Sequence, residues 1–267
     1  MDGCESTKVL LTGAAGRIGT AFREHAGDRY ELRLSVAPSE ILEEPESHEV
    51  VECDVSDLES CRRVCEGMDV VVHLAADPST QADFYGSLLE NNIKGTYNVF
   101  RAAKDAGCGR VVFASSVNAV DGYPPDTQIQ PEMPVRPPNV YGASKVFGEA
   151  LGRYFADQED LSVVAVRIGA FAPFDVEEAL RANKKSSPGE FSPRSLGYYV
   201  SRWDLCDLLV RCIETPGITF AIAHGLSNNY FKRMNIDSTR KTFGYDPKDD
   251  AFELLGFEEP VNGGESR

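Results

Sequence analysis

The sequence predicts an α/β fold built on a doubly wound parallel sheet, because short strand-like segments alternate with segments of helical period. Six apolar runs rich in β-branched residues lie at 8–12, 30–35, 49–53, 69–74, 110–115 and 161–167. Several of them are apolar on both faces, which is typical of strands covered by helices on each side. The alternation predicts the strand order 3-2-1-4-5-6.

Helical spacing fills the intervals between these strands. Amphipathic patterns occur in four segments, at 16–26, 57–67, 81–106 and 140–157. After Arg167 the alternation weakens into a region containing Pro, Gly and Ser, from about 171 to 200. A predicted helix near 202–214 and a strand near 218–224 follow it. We expect this part of the chain to form a small C-terminal lobe.

Composition predicts one globular, acidic protein. The 267 residues are 42% hydrophobic and 26% charged, and 27 basic against 42 acidic residues give a formal net charge of −15. Such a charge repels phosphate backbones and anionic membrane surfaces, so we expect neither nucleic acid nor membrane as a partner. The excess of acidic residues is compatible both with the surface charge of an ordinary soluble protein and with adaptation to high salt.

The cysteines and the N-terminus predict a cytoplasmic protein. Seven cysteines are present without a zinc-ligand spacing, so we expect reduced core thiols and no metal. Cys61 and Cys65 stand one helical turn apart, but two thiols alone do not hold a metal. The first residues lack the basic start and apolar stretch of a signal peptide, and no window is long enough to span a bilayer.

A glycine-rich turn joins the first strand to the first helix. Residues 12–19 (TGAAGRIG) place Gly13 at a tight turn, Gly16 where backbone N–H groups can approach a pyrophosphate, and Gly19 where helix and strand pack closely. The triplet is weak evidence alone, but its position predicts dinucleotide binding. We therefore expect a Rossmann-type NAD(P)-binding domain over 1–170 and a substrate-binding lobe over 171–267, interleaved as one structural unit. The predicted contacts of this turn are Gly13, Ala15, Gly16, Arg17, Ile18 and Gly19.

Further cofactor contacts are expected where later strands end. Asp54 and Val55 follow the third strand and are predicted to meet the adenine, and Leu74, Ala75 and Ala76 follow the fourth and are predicted to flank the centre of the cofactor. For Asp54, a role as a turn or capping carboxylate is an equal alternative.

The end of the second strand leaves the cofactor partly undecided. Residues 34–38 (LSVAP) carry no acid, although NAD enzymes commonly place one there to bind the adenosine ribose. We expect NAD, but NADP stays open, with Arg17 or Arg33 able to meet a 2′-phosphate.

Tyr141 and Lys145 are spaced to share one face of a helix. They lie four residues apart, and a neighbouring ammonium together with the positive nicotinamide ring favours the phenolate. We therefore expect the Tyr141 pKa to fall and the phenol to act as a general base. Ser116, at the end of the fifth strand, can hydrogen-bond the same substrate oxygen. Chance surface residues are the alternative for this spacing, which its place after the glycine turn disfavours.

The combined motifs resemble the extended short-chain dehydrogenase/reductase family, the NAD-dependent epimerase/dehydratase group. The matching segments are 12–19 (TGAAGRIG), 53–57 (CDVSD), 73–76 (HLAA), 91–99 (NNIKGTYNV), 113–116 (FASS), 141–145 (YGASK) and 166–169 (VRIG). The resemblance implies that Ser116 positions the substrate oxygen, Tyr141 is the base, and Lys145 binds the cofactor ribose. It also implies that Asn92 makes active-site hydrogen bonds, with a helix amide bonded to its own backbone as the alternative. Asn92, Tyr141, Lys145 and Ile168 are expected beside the cofactor.

Within that group the chain is similar to uronate dehydrogenases and archaeal NAD-dependent glucose-6-phosphate dehydrogenases. The similarity implies oxidation of a cyclic sugar at its anomeric carbon to a lactone. It also implies that Arg194 grips an anionic group of the sugar, with a solvated loop arginine as the alternative. The chain departs from those enzymes at Val117, Asn118 and Ala170. The residues expected at the substrate are Asp77, Ser116, Val117, Asn118, Tyr141, Ala170 and Arg194.

Two other functions stay open at this stage. A nucleotide-sugar epimerase or dehydratase would use the same three residues and retain its NAD. A cofactor-sensing regulator would keep the fold without turnover. The family resemblance also suggests a homodimer through the helices near 81–106 and 140–157.

Overall fold

A single seven-stranded parallel sheet forms the centre of the molecule. The structure, a computed structural model, describes residues 6–42, 48–172 and 196–254. The strands of this sheet are β1 (Lys8–Thr12), β2 (Glu31–Val36), β3 (Glu49–Glu52), β4 (Val70–His73), β5 (Arg110–Ser116), β6 (Ser162–Ile168) and β9 (Phe220–Gly225). Their order is β3-β2-β1-β4-β5-β6-β9, which confirms the predicted order and adds the C-terminal strand at the β6 edge.

Helices cover both faces of the sheet. They are α1 (Arg17–Ala26), α2 (Leu58–Cys65), α3 (Gly95–Asp105), α4 (Val140–Glu159), α5 (Arg202–Glu214), α6 (Asp237–Phe243) and α7 (Ala251–Leu254). Helices α1 and α5 pack on one face and α2, α3 and α4 on the other. Each face of the sheet has its own hydrophobic core. Strand β1 is apolar throughout because Leu11 packs into one of these cores and Leu10 into the other.

The helix predicted over 81–106 differs from the expectation in its first half. Residues Phe84–Lys94 form a π-helix that runs directly into α3. Asp83 begins it by accepting a hydrogen bond from the Gly86 N–H at 2.6 Å. Apolar periodicity does not reveal a π-helix, because the difference lies in the backbone hydrogen bonds, which run from i to i+5.

The region after β6 is described only in part. Strand β7 (Ala170–Ala172) pairs in parallel with β8 (Tyr199–Ser201) in a separate two-stranded sheet. Residues 173–195, which include Arg194, and the residues after Leu254 lie outside the described part of the chain. The lobe boundaries therefore stay a prediction.

The described cysteines and helices bear on two sequence predictions. The six described cysteines are buried free thiols, which confirms the expectation of core thiols. Among residues 6–42, 48–172 and 196–254, no helix combines the length and apolar character needed to cross a bilayer.

A buried ion pair ties α4 to the sheet directly behind the predicted catalytic residues. Arg167 of β6 donates two hydrogen bonds of 2.9 Å to the Glu149 carboxylate, and the Ser115 hydroxyl donates a third of 2.6 Å. Glu149 and Arg167 are 5% and 3% exposed. Because charges this deep are costly unless paired, the network fixes the position of α4 relative to β5 and β6.

We predict that Glu149→Ala lowers the free energy of unfolding by about 3–5 kcal/mol, because it leaves the Arg167 guanidinium buried without its anion. Urea denaturation measures the loss. The matched control on the same helix is Asp157→Ala, which removes an exposed partner of Arg153 and should change stability by less than about 1 kcal/mol. Equal losses in the two variants would show that the buried pair does not hold α4.

Candidate active site

A cleft of about 460 Å³ opens at the carboxyl ends of β1, β2 and β4. This is the edge where parallel α/β sheets bind ligands. The residues predicted from the sequence that line it are Gly13, Gly16, Arg17, Ile18, Gly19, Asp54, Val55, Leu74, Ala75, Ala76 and Asp77. Residues 35–38, from the segment considered for the adenosine ribose, also line it. Sequence analysis missed the remaining lining residues, namely Glu40, Cys53, Pro78, Asn91, Ala114 and Phe171.

The glycine turn is built for close approach, as the sequence predicts. Gly13 has φ +69°, and a Cβ added to it would lie 2.9 Å from the Ala75 nitrogen. A Cβ on Gly19 would lie 2.4 Å from the Gly13 carbonyl oxygen. Gly16 caps α1, whose first turn contains no acidic side chain, so free N–H groups and the positive helix end face the cleft. The turn therefore fits the pyrophosphate of a dinucleotide.

A buried hydrogen-bond cluster fixes the spacing between this turn and β4. The Thr12 hydroxyl accepts hydrogen bonds of 3.2 Å from the N–H groups of Leu74 and Ala75. The same hydroxyl is hydrogen-bonded to Nδ1 of His73, 2.8 Å away. Burial lowers the pKa of His73 to about 3, with the Lys145 charge acting in the same direction. The imidazole is therefore neutral.

Asp54 has the turn role that the sequence offered, and its adenine contact stays a prediction. Its carboxylate accepts a 2.9 Å hydrogen bond from the Ser56 N–H, as a turn residue does. It also lines the cleft beside Val55. The turn therefore holds the carboxylate at the position predicted for an adenine contact.

The structure brings Ser116, Tyr141 and Lys145 together in one buried site. They are 6%, 9% and 5% exposed. The Asn118 N–H donates to the Ser116 oxygen at 3.1 Å. The Ser116 hydroxyl lies close enough to the Tyr141 phenol to lower the Tyr141 pKa. Lys145 Nζ lies 5.7 Å from the Tyr141 ring centroid and 5.2 Å from that of Phe113.

The start of α4 explains how Tyr141 reaches Ser116. Asn139 caps the helix by accepting a 2.7 Å hydrogen bond from the Gly142 N–H. A Cβ on Gly142 would lie 2.2 Å from the Asn118 carbonyl oxygen, so only glycine lets the helix pack against the turn that follows β5. The Asn139 amide also donates to the Asn118 side chain at 2.9 Å. These contacts hold the first turn of α4 beside the end of β5.

The pKa of Tyr141 reflects the burial of its phenol. Burial raises it above the ordinary tyrosine value, and Asp77 raises it further, while the hydrogen bond with Ser116 lowers it. Burial also lowers the Lys145 pKa to about 8. The predicted fall includes the positive nicotinamide ring, so it stays a prediction for the complex with cofactor. In the protein without cofactor, desolvation of the phenolate dominates and the pKa is raised.

Asn92, predicted beside the cofactor, supports the site from behind the cleft wall. Asn92 is buried and donates hydrogen bonds of 3.1 Å to the Asp77 carbonyl and the Ser144 hydroxyl, while its own oxygen accepts from the Asp77 N–H. It therefore holds the segment around Asp77 against α4. Neither Asn92 nor Ile168 lines the described cleft, and the same is true of Ala15.

The expected substrate residues are placed less completely. Asn118 donates through Nδ2 to Ser116 at 3.4 Å, so it adjoins the catalytic group. Val117 is buried with Val120 and Ile129 in a small apolar cluster. Ala170 begins β7. The role of Arg194 stays a prediction, since it lies outside the described residues.

Comparisons with known proteins agree with this site. Residues 9–179 match the model of the NAD dependent epimerase/dehydratase family. The chain is 38% identical to the NAD-dependent glucose-6-phosphate dehydrogenase of Haloferax volcanii, over 95% of this chain and 98% of that protein. It is 33% identical to an L-arabinose 1-dehydrogenase (NAD(P)(+)) of the same organism, over 93% of this chain and 99% of that protein.

A solved structure gives the same result. A uronate dehydrogenase mutant from Agrobacterium tumefaciens, complexed with NAD, superimposes with a TM-score of 0.80 at 30% identity. The match covers 97% of this chain and 92% of the solved chain. The chain therefore belongs to the NAD dependent epimerase/dehydratase family and is an NAD-dependent enzyme.

Proposed function

We propose that this enzyme oxidises a cyclic sugar, a uronic acid or a sugar phosphate at its anomeric carbon and releases a lactone. The observation that carries the proposal is the buried group of Ser116, Tyr141 and Lys145. The Tyr141 phenol feels the charge of Asp77, which lines the cleft together with the glycine turn. The relatives support the substrate class, since their names give glucose 6-phosphate, L-arabinose and uronate.

The residues divide the reaction between them. Tyr141 takes the proton of the anomeric hydroxyl, and Ser116 donates a hydrogen bond to the same oxygen. The Lys145 ammonium stabilises the phenolate form that accepts this proton. When bound, NAD supplies the acceptor for the hydride that leaves the anomeric carbon. The anomeric carbon then becomes the carbonyl carbon of the lactone, so atoms and electrons balance.

Net oxidation distinguishes this proposal from its two alternatives. An epimerase or dehydratase restores its NAD in every cycle, so NADH does not accumulate. A cofactor-sensing regulator needs no base, which leaves the buried Tyr141 and Ser116 contact without a purpose. The two Haloferax relatives are dehydrogenases and align over nearly their full length, which favours net oxidation.

We predict that glucose 6-phosphate, a uronate or L-arabinose drives accumulation of NADH, measured by its near-ultraviolet absorbance with NAD in excess. Tyr141→Phe should lower kcat by about 10²–10⁴-fold because the ring remains and the proton acceptor is lost. Its Kd for NADH should stay within about threefold, since the ring still fills the same space.

Tyr230→Phe is the matched control, because Tyr230 is 58% exposed and lies outside the catalytic group and the helices α3 and α4. Its rate should equal that of the wild type. The proposal fails if none of these sugars gives net NADH, or if Tyr141→Phe keeps the wild-type rate on an active substrate.

We also infer a cytoplasmic, reducing setting. The six described cysteines are buried free thiols, which is typical of proteins that fold under reducing conditions.

We further propose that two copies associate through α3 and α4. Tyr97 and Tyr154 are 44% and 49% exposed, and both rings pack around Phe155. They form one aromatic patch across the two helices, and exposed aromatic patches commonly mark interfaces.

We predict that the wild type sediments as a dimer and that the double variant Tyr97→Glu, Tyr154→Glu sediments as a monomer, because two carboxylates cannot be buried unpaired. Sedimentation velocity measures both. Tyr230→Glu is the control, since Tyr230 is 58% exposed outside these helices and should leave the dimer intact. A monomeric wild type contradicts the proposal.

A further inference from the structure

We propose that Glu40 selects NAD over NADP by placing a carboxylate at the part of the cleft that receives the adenosine ribose. The inference rests on the use of NAD and is independent of which sugar is oxidised. It also answers the question that the acid-free segment 34–38 leaves open.

A turn returns Glu40 to the end of β2. The strand ends at Val36, and the Glu40 N–H donates to the Ala37 carbonyl at 2.8 Å. In the other direction, the Ala37 N–H donates to Oε2 of Glu40 at 3.0 Å. These two hydrogen bonds hold the carboxylate next to the strand end, although it stands four residues further along the sequence.

The turn is part of the cleft wall. Glu40 lines the cleft together with Ser35, Val36, Ala37 and Pro38. The Ala14 N–H of the glycine turn donates to the Ser35 carbonyl at 3.1 Å, and the Cys53 N–H donates to the Val36 carbonyl at 2.9 Å. The carboxylate is thereby fixed relative to both the pyrophosphate turn and the adenine end of the cleft.

The sequence position of Glu40 matches that of the ribose-binding acid in dinucleotide-binding folds. In dinucleotide-binding folds, an acid about 20 residues beyond the glycine turn accepts hydrogen bonds from the adenosine ribose hydroxyls. Glu40 is 21 residues beyond Gly19. A carboxylate there accepts from the 2′-hydroxyl of NAD and repels the 2′-phosphate of NADP.

The arginines do not reverse this preference. Arg33, one of the two cations considered for a 2′-phosphate, donates to Glu49 at 2.6 Å and to the Val64 and Glu66 carbonyls at 3.0 and 2.8 Å. It does not line the described cleft. Arg17 does line it, but at the start of α1, where the pyrophosphate is expected. The sequence-based suggestion that Arg33 could meet a phosphate is therefore wrong.

The test is direct binding of NADH and NADPH to the full chain, measured by isothermal titration calorimetry. We expect the wild type to bind NADH at least about tenfold more tightly than NADPH. Glu40→Gln keeps an acceptor for the Ala37 N–H and removes the charge, so its Kd for NADPH should fall about tenfold or more. Glu40→Ala should weaken NADH about tenfold because the ribose loses its acceptor.

Glu31→Gln controls for the change in net charge, since Glu31 is exposed at the opposite end of the same strand. It should leave the ratio of the two dissociation constants unchanged. The proposal is overturned if the wild type binds NADPH as tightly as NADH, or if Glu40→Gln and Glu31→Gln shift the ratio equally. Because no sugar enters the measurement, its outcome is separate from that of the proposed reaction.

Discussion

An ammonium group buried against two aromatic rings is the constraint on which this active site depends. Lys145 Nζ lies within 6 Å of the centroids of Phe113 and Tyr141, and the side chain is 5% exposed. Desolvation weakens its hold on its proton and lowers its pKa to about 8. Cation–π attraction offsets part of this cost. The remaining desolvation cost of the ammonium falls when the neighbouring Tyr141 phenol becomes a phenolate. The charge of Lys145 is therefore coupled to proton transfer at Tyr141.

The surrounding structure keeps this positive charge isolated and in place. His73 is hydrogen-bonded to the Thr12 hydroxyl and stays neutral, so the imidazole adds no positive charge beside Lys145. Along α4, Gly148 packs so closely on Phe113 that an added Cβ would lie 2.2 Å from the ring. One residue further, Glu149 binds Arg167 and Ser115. The same helix therefore carries the catalytic pair and the contacts that fix it.

Much of the fold and part of the site could be predicted from the sequence. The strands are apolar on both faces, so their period and order followed from residue pattern alone, and β6 was expected at 161–167 and lies at Ser162–Ile168. The glycine turn was equally clear, because Gly13 and Gly19 have backbone requirements that no other residue meets. Both features depend on local sequence, which a single chain displays.

Features that depend on contacts formed only in the folded chain could not be predicted. Glu40 reaches the end of β2 only because its turn closes on Ala37, and a search limited to residues 34–38 misses it. The direction of the Tyr141 pKa shift required the balance between burial and charge, which spacing on a helix does not give. Asn92 was placed by its π-helix against Ser144, where it supports the site.

The most direct test of the account is the ionisation of Tyr141 itself, with and without NAD. The ultraviolet absorbance of tyrosinate, taken as wild type minus Tyr141→Phe across a pH titration, isolates this one phenol. The account predicts a pKa above the ordinary value of about 10 in the free enzyme, because burial dominates, and a lower one when NAD adds its positive ring. The same pKa in both forms, or ionisation of the free enzyme below the ordinary value, would contradict it.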